Sequence, residues 1–135
     1  ESREKCLEII RFVQDQYLAF GMGRWSVLLR ETGEFLGWCG PKRMVDSGIN
    51  GRADFVEVGY RFMRRHWGKG YATEAARATL AYGFDVMKLP EVVAYADVRN
   101  EASVRVLTKI GLNRGNDFEW EGKAHAWFEK KRNIE

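Results

Sequence analysis

Residues 54–87 constrain the fold more than any other part of the chain. Residues 54–63 form a largely apolar run, with Phe55, Val56, Val58, Tyr60 and Phe62, the pattern of a central strand. Arg65-His66-Trp67-Gly68-Lys69-Gly70 follows, and then an alanine-rich stretch over 71–87 that sets Ala72, Ala75, Ala76, Leu80, Phe84 and Met87 on one helical face. A strand emptying through a glycine loop into a helix commits the chain to α/β layering. The same segment suits a phosphate. Gly68 and Gly70 let the backbone turn sharply, the helix start offers N–H groups without intrahelical partners, and Arg64, Arg65 and Lys69 add positive charge. A bare Gly-x-Gly is equally at home in an ordinary turn, so its neighbours must decide.

Apolar spacing at Cys6, Ile9, Ile10, Val13, Tyr17 and Phe20 predicts a helix over 2–20, stopped by Gly21-Met22-Gly23. Alternation over 24–30 and 35–40 around Glu31-Thr32-Gly33-Glu34 predicts a hairpin, and 41–53 is expected to be loop. After the 71–87 helix come a strand over 91–98, a helix over 101–110 capped by Asn100 and ended by Gly111, and a closing hairpin of 118–121 and 125–130 about Gly122-Lys123. The order is helix, hairpin, strand, helix, strand, helix, hairpin, which is an α/β sandwich on a mixed sheet.

At 135 residues and 45% hydrophobic content, one domain over 1–135 is expected. No stretch nears the ~20 apolar residues of a membrane span and no cleavable leader is present, which predicts a cytoplasmic protein without membrane contact. Cys6 and Cys39 lack metal-ligand spacing and are expected to be buried free thiols, and no metal is implied. The net charge of +3 fits an anionic small ligand or a nucleic acid. Arg61, Arg64, Arg65 and Lys69 cluster at the glycine loop and favour the small ligand, while Lys130, Lys131 and Arg132 read as a solvated tail. Five Trp and eight Phe are compatible with a homodimer.

The P-loop spacing is absent, and a dinucleotide fingerprint lacks a third glycine, having Thr73 in its place and only Asp97 as a ribose partner. Arg65-x-x-Gly68-x-Gly70-Tyr71-Ala72-Thr73-Glu74-Ala75 instead resembles the acyl-CoA pyrophosphate loop of the GNAT superfamily of N-acetyltransferases. Val56-Glu57-Val58-Gly59-Tyr60 resembles that family's splayed central strand, and Asn100-x-x-Ser103-x-x-Val106-x-x-Lys109-x-Gly111-Leu112 its second cofactor helix. The combination is most similar to the branch of ribosomal-protein N-terminal acetyltransferases. The resemblance implies a mostly antiparallel sheet with one splayed parallel pair, flanked by helices, and a chain that starts after the family's usual first strand and helix.

It also implies acetyl-CoA as acyl donor and a direct attack by a primary amine, from a protein N-terminus or a small molecule. The main chain at Phe62 and Met63 would pair with the pantetheine arm, and the loop containing Arg65, Gly68, Lys69, Gly70, Tyr71 and Ala72 would take the pyrophosphate. Asn100 would touch the pantetheine portion while capping its helix. Lys109 would reach the phosphates or sit on a wet face. Glu57 would act as base, its alternative being an outward-facing strand carboxylate. A main-chain N–H near Phe62 or Met63 would hold the oxyanion.

One departure stands out. Where many members carry a tyrosine that protonates the thiolate, this chain has Leu107, and Ser103 is the substitute the branch suggests, with Tyr60, Tyr95 and His125 as further candidates. Two rival functions follow: a CoA-binding regulatory module without turnover, or a basic RNA-associated domain using Arg61, Arg64, Arg65, Trp67 and Lys69.

Overall fold

The computed structural model describes residues 2–133. Ser2 accepts a hydrogen bond from Lys5 N and starts α1 (Arg3–Phe20), which ends at Gly21 in the left-handed region. The edge strands β1 (Trp25–Leu28) and β2 (Phe35–Met44) form the expected hairpin, but β2 runs on through Pro41 to Met44. Residues 41–44 therefore belong to the sheet, paired with β3 (Phe55–Phe62) from Pro41–Val58 to Met44–Phe55. Proline is tolerated there because β1 ends before it and leaves that side of β2 without a strand.

A 3-10 turn at Arg64–His66 and the glycine loop lead into α2 (Tyr71–Asp85). Then come β4 (Glu91–Asp97), α3 (Glu101–Lys109) with Asn100 as its cap, β5 (Asn113–Trp120) and β6 (Lys123–Lys131). Lys130 and Lys131 are thus strand residues, paired with Val92 and Glu91, and not a free tail. The sheet order is β1-β2-β3-β4-β6-β5, antiparallel throughout except for β3 beside β4.

Alternation divides the sheet into two faces. Val56, Val58, Val92, Ala94, Ala126 and Phe128 meet Ala76 and Leu80 of α2, Leu107 of α3 and Ile110 just after it in the main core. Phe128 and Val92 are completely buried, and each contributes roughly 1.5–3 kcal/mol of transfer free energy. Cys39 is buried here too, its Sγ 3.3 Å from Thr79 Oγ1, and burial raises its thiol pKa. The opposite face carries Phe55, Val93 and Trp127 with Tyr95 and Phe118 packed on them.

Helix α1 corrects an expectation. Its apolar stripe is not packed away: Ile9, Ile10, Tyr17 and Phe20 stay exposed, Leu18 is 87% exposed, and Cys6 is an exposed thiol. What anchors the helix is polar. Gln16, buried, accepts from Arg43 N (2.8 Å) and donates to Arg43 O (3.0 Å), the two bonds a neighbouring strand would have made. Among the described residues no helix is long and apolar enough to cross a membrane, and no metal-binding cluster is found.

Candidate active site

The parallel pairing of β3 with β4 is registered only at Glu57 and Val93 among the described residues, yet β3 continues to Phe62. The two strands therefore part, and the far end of β3 faces a gap in the sheet. On the helix side this gap opens into a cleft of about 630 Å³ lined by Tyr60, Phe62, Gly68, Gly70, Tyr71 and Ser103, among others.

The anion-binding end is built by backbone. Gly68 (φ 77°) and Gly70 (φ 83°) are both left-handed, conformations that cost other residues about 1–2 kcal/mol. Gly70 is the N-cap of α2 and brings no side-chain hydrogen bond, so no side chain caps the first-turn N–H groups that face the cleft. Arg61, Arg105 and Lys109 line the same cleft. This donor set fits a pyrophosphate.

Of the predicted cofactor residues, Phe62, Gly68, Gly70, Tyr71, Ala72 and Asn100 line the cleft; Met63, Arg65 and Lys69 do not. Arg65 turns aside to Glu34 (3.1 Å), which also meets buried His66 (3.3 Å). Met63 N donates to Leu36 O (3.0 Å), which consumes one of the two N–H groups expected to face the substrate. Because a strand residue points its N–H and C=O to the same side, Met63 looks to β2 and Phe62 looks into the gap. The Phe62 carbonyl already accepts from Trp67 Nε1 (2.8 Å), although Trp67 is 61% exposed. Trp67, His66, Thr73 and Arg105 were not singled out as cofactor residues from sequence. Arg105 carried a readable signal, lying one helical turn before Lys109, the residue weighed as a phosphate contact.

Asn100 Oδ1 accepts from Ser103 N (3.2 Å), so it is an N-cap at the cleft rim. Arg99, whose N, Nε and guanidinium all donate to Asp97, fixes the turn before it and holds Asp97 well below the usual carboxylate range. Ser103 Oγ accepts from Tyr60 OH at 3.2 Å, and burial raises the Tyr60 pKa above its ordinary 10.0. Tyr95 and His125, the other acid candidates, sit on the opposite face in an aromatic cluster with Phe118 and Trp120. Leu107 lies in the main core, away from the cleft.

Glu57 is on that opposite face as well, but it is buried, which overturns the outward-facing alternative. Its Oε2 takes Arg24 at 2.6 Å and Lys42 at 3.9 Å. Gly59 makes room for this pair: an added Cβ would stand 2.6 Å from the Arg24 guanidinium and 2.9 Å from Glu57 Oε1. Arg24 also bonds the Gly40 and Glu57 carbonyls. Beside it, a second cleft of about 630 Å³ is lined by residues of α1, β1 and β2, with Arg24 and Lys42 among them.

The family description that matches is the acetyltransferase (GNAT) domain, over residues 1–113. The uncharacterized protein YkkB of Bacillus subtilis (strain 168) is 36% identical over 133 residues, covering 97% of this chain and 74% of that protein. The uncharacterized N-acetyltransferase p20 of Bacillus licheniformis is 35% identical over 107 residues, 79% of this chain and 57% of its own length. The solved acetyltransferase of Agrobacterium tumefaciens str. C58 shares the fold at a TM-score of 0.81 and 23% identity, over 98% of this chain and 74% of that one.

Proposed function

The chain belongs to the acetyltransferase (GNAT) domain family, and from that premise we propose that it moves an acetyl group from acetyl-CoA to a primary amine, of a protein N-terminus or a small molecule, within a ternary complex. The observation that carries the reading is the gap between β3 and β4, with an uncapped helix start and three basic side chains on one face and the Glu57 carboxylate on the other.

Acetyl-CoA supplies the activated thioester. Gly68, Gly70 and the first turn of α2 hold its pyrophosphate, joined by Arg61, Arg105 and Lys109. Phe62 N–H, aimed into the gap, is the main-chain donor for developing negative charge. Glu57 Oε1, with both cations on Oε2, accepts the proton that the acceptor's ammonium must lose. Ser103 Oγ gives a proton to the leaving thiolate, and Tyr60 OH, already donating to that oxygen, replaces it. Similarity of the 57–60 strand and the Asn100–Ser103 cap to the ribosomal-protein branch supports this layout.

Calorimetry with CoA tests the donor site: Gly70→Val is expected to weaken binding at least tenfold, and absence of CoA binding by the unaltered protein overturns the proposal. For the proton path, Tyr60→Phe and Ser103→Ala are each expected to lower kcat about a hundredfold with little change in KM, and the double variant to lose no more than either alone. Because burial raises the Tyr60 pKa, its proton is retained to higher pH than that of an ordinary tyrosine, and the alkaline limb of kcat is expected to lie above the ordinary tyrosine range.

A further inference from the structure

The second cleft carries a charge that nothing within it balances. Arg24 and Glu57 neutralise one another at 2.6 Å, and Arg24 spends its other donors on the Gly40 and Glu57 carbonyls. Lys42 is left over. Its Nζ stands 3.9 Å from Glu57 Oε2, beyond hydrogen-bond range, and lies 5.7 Å from the centre of the Phe12 ring. Its three N–H donors therefore have capacity for an oxygen ligand. The lining around it holds no Asp or Glu, and Ile9, Phe12, Val13, Trp38 and Pro41 make the walls apolar.

A surplus cation in the lining of a largely apolar cleft selects an apolar body bearing an anionic group, and the amine must also reach Glu57, the cross-strand neighbour of Lys42. Lys42 and Glu57 face each other across β2 and β3 in the same register. The two ends of one small molecule would thus be read by adjacent side chains. We propose that the acceptor is a free α-amino acid with an apolar or aromatic side chain, its carboxylate on Lys42, its amine at Glu57 and its side chain against Phe12 and Trp38. Polyamines are disfavoured, since a second ammonium would meet Lys42. A peptide N-terminus is disfavoured too, because its first residue has no carboxylate to offer. The assignment rests on the acetyltransferase reading but concerns only the acceptor half.

Three probes that differ in one group decide it: L-phenylalanine, L-phenylalaninamide and phenethylamine, with spermidine as a fourth. Binding to the unaltered protein is measured by calorimetry without CoA, and transfer by thiol release from acetyl-CoA. L-phenylalanine is expected to bind and to exceed each of the others at least tenfold in kcat/KM. Lys42→Met should bring that ratio near one with CoA affinity unchanged, and Lys42→Arg should restore most of it. Preference for phenylalaninamide, phenethylamine or spermidine overturns the proposal, as does absence of L-phenylalanine binding while CoA still binds. Loss of CoA binding in the unaltered protein would strike the donor reading instead.

Discussion

At Gly59 the sequence pattern Glu57-Val58-Gly59-Tyr60 acquires a mechanical reason. Glu57 and Gly59 lie on the same face of β3, and the Arg24 guanidinium crosses the space where a Cβ at Gly59 would be. Gly59→Ala would bring a Cβ against the tips of two flexible side chains, so the pair shifts to make room and is not forced apart. A broken buried pair costs about 3–5 kcal/mol, because the orphaned charge stays out of water. Urea unfolding should therefore show a loss of about 3 kcal/mol for Arg24→Met, which orphans Glu57, and only about 1 kcal/mol for Gly59→Ala, which shifts the pair without breaking it. Sequence periodicity set Glu57 on one face of its strand but could not tell a solvated carboxylate from a buried one. The deciding partner, Arg24, is 33 residues away.

Among elements, strand existence and helix ends were legible from local chemistry: Gly21, Asn100 and Gly111 each stand at a helix end as their residue types predict. The extension of β2 through Pro41 was not, since a proline and a lysine read as loop until the missing edge partner is known. The path of the segment after β3 was also hidden. Trp67 returns to bond the Phe62 carbonyl, so under the proposed donor site the indole holds the acceptor that an incoming amide N–H would need. Titration with CoA is expected to change the fluorescence of Trp67 as its ring leaves, and Trp67→Phe should abolish most of that change. The same variant should bind CoA equally well or up to about tenfold more tightly, since a net hydrogen bond is worth about 0.5–1.5 kcal/mol.

For the whole molecule, burial is unevenly shared. Strand β4 has Val92 and Val93 at 0% exposure, whereas α1 keeps one buried residue, Gln16. Opening free energies should follow that division. Hydrogen exchange is expected to release α1 amides first, well before those of β4 and α2, and Gln16→Ala should speed α1 exchange without changing that of β4. Uniform protection across α1 and β4 would show instead that the helix unfolds only with the sheet. The Gln16 amide also works as a plug. It occupies the backbone polar groups of Arg43 on the side of β2 that β1 leaves bare, where an extended segment of another molecule would otherwise add. A helix that lifts away without global unfolding would uncover a strand edge beside its own apolar stripe. The step that endangers solubility is then a local one, and a protein stable to denaturant can still aggregate through it.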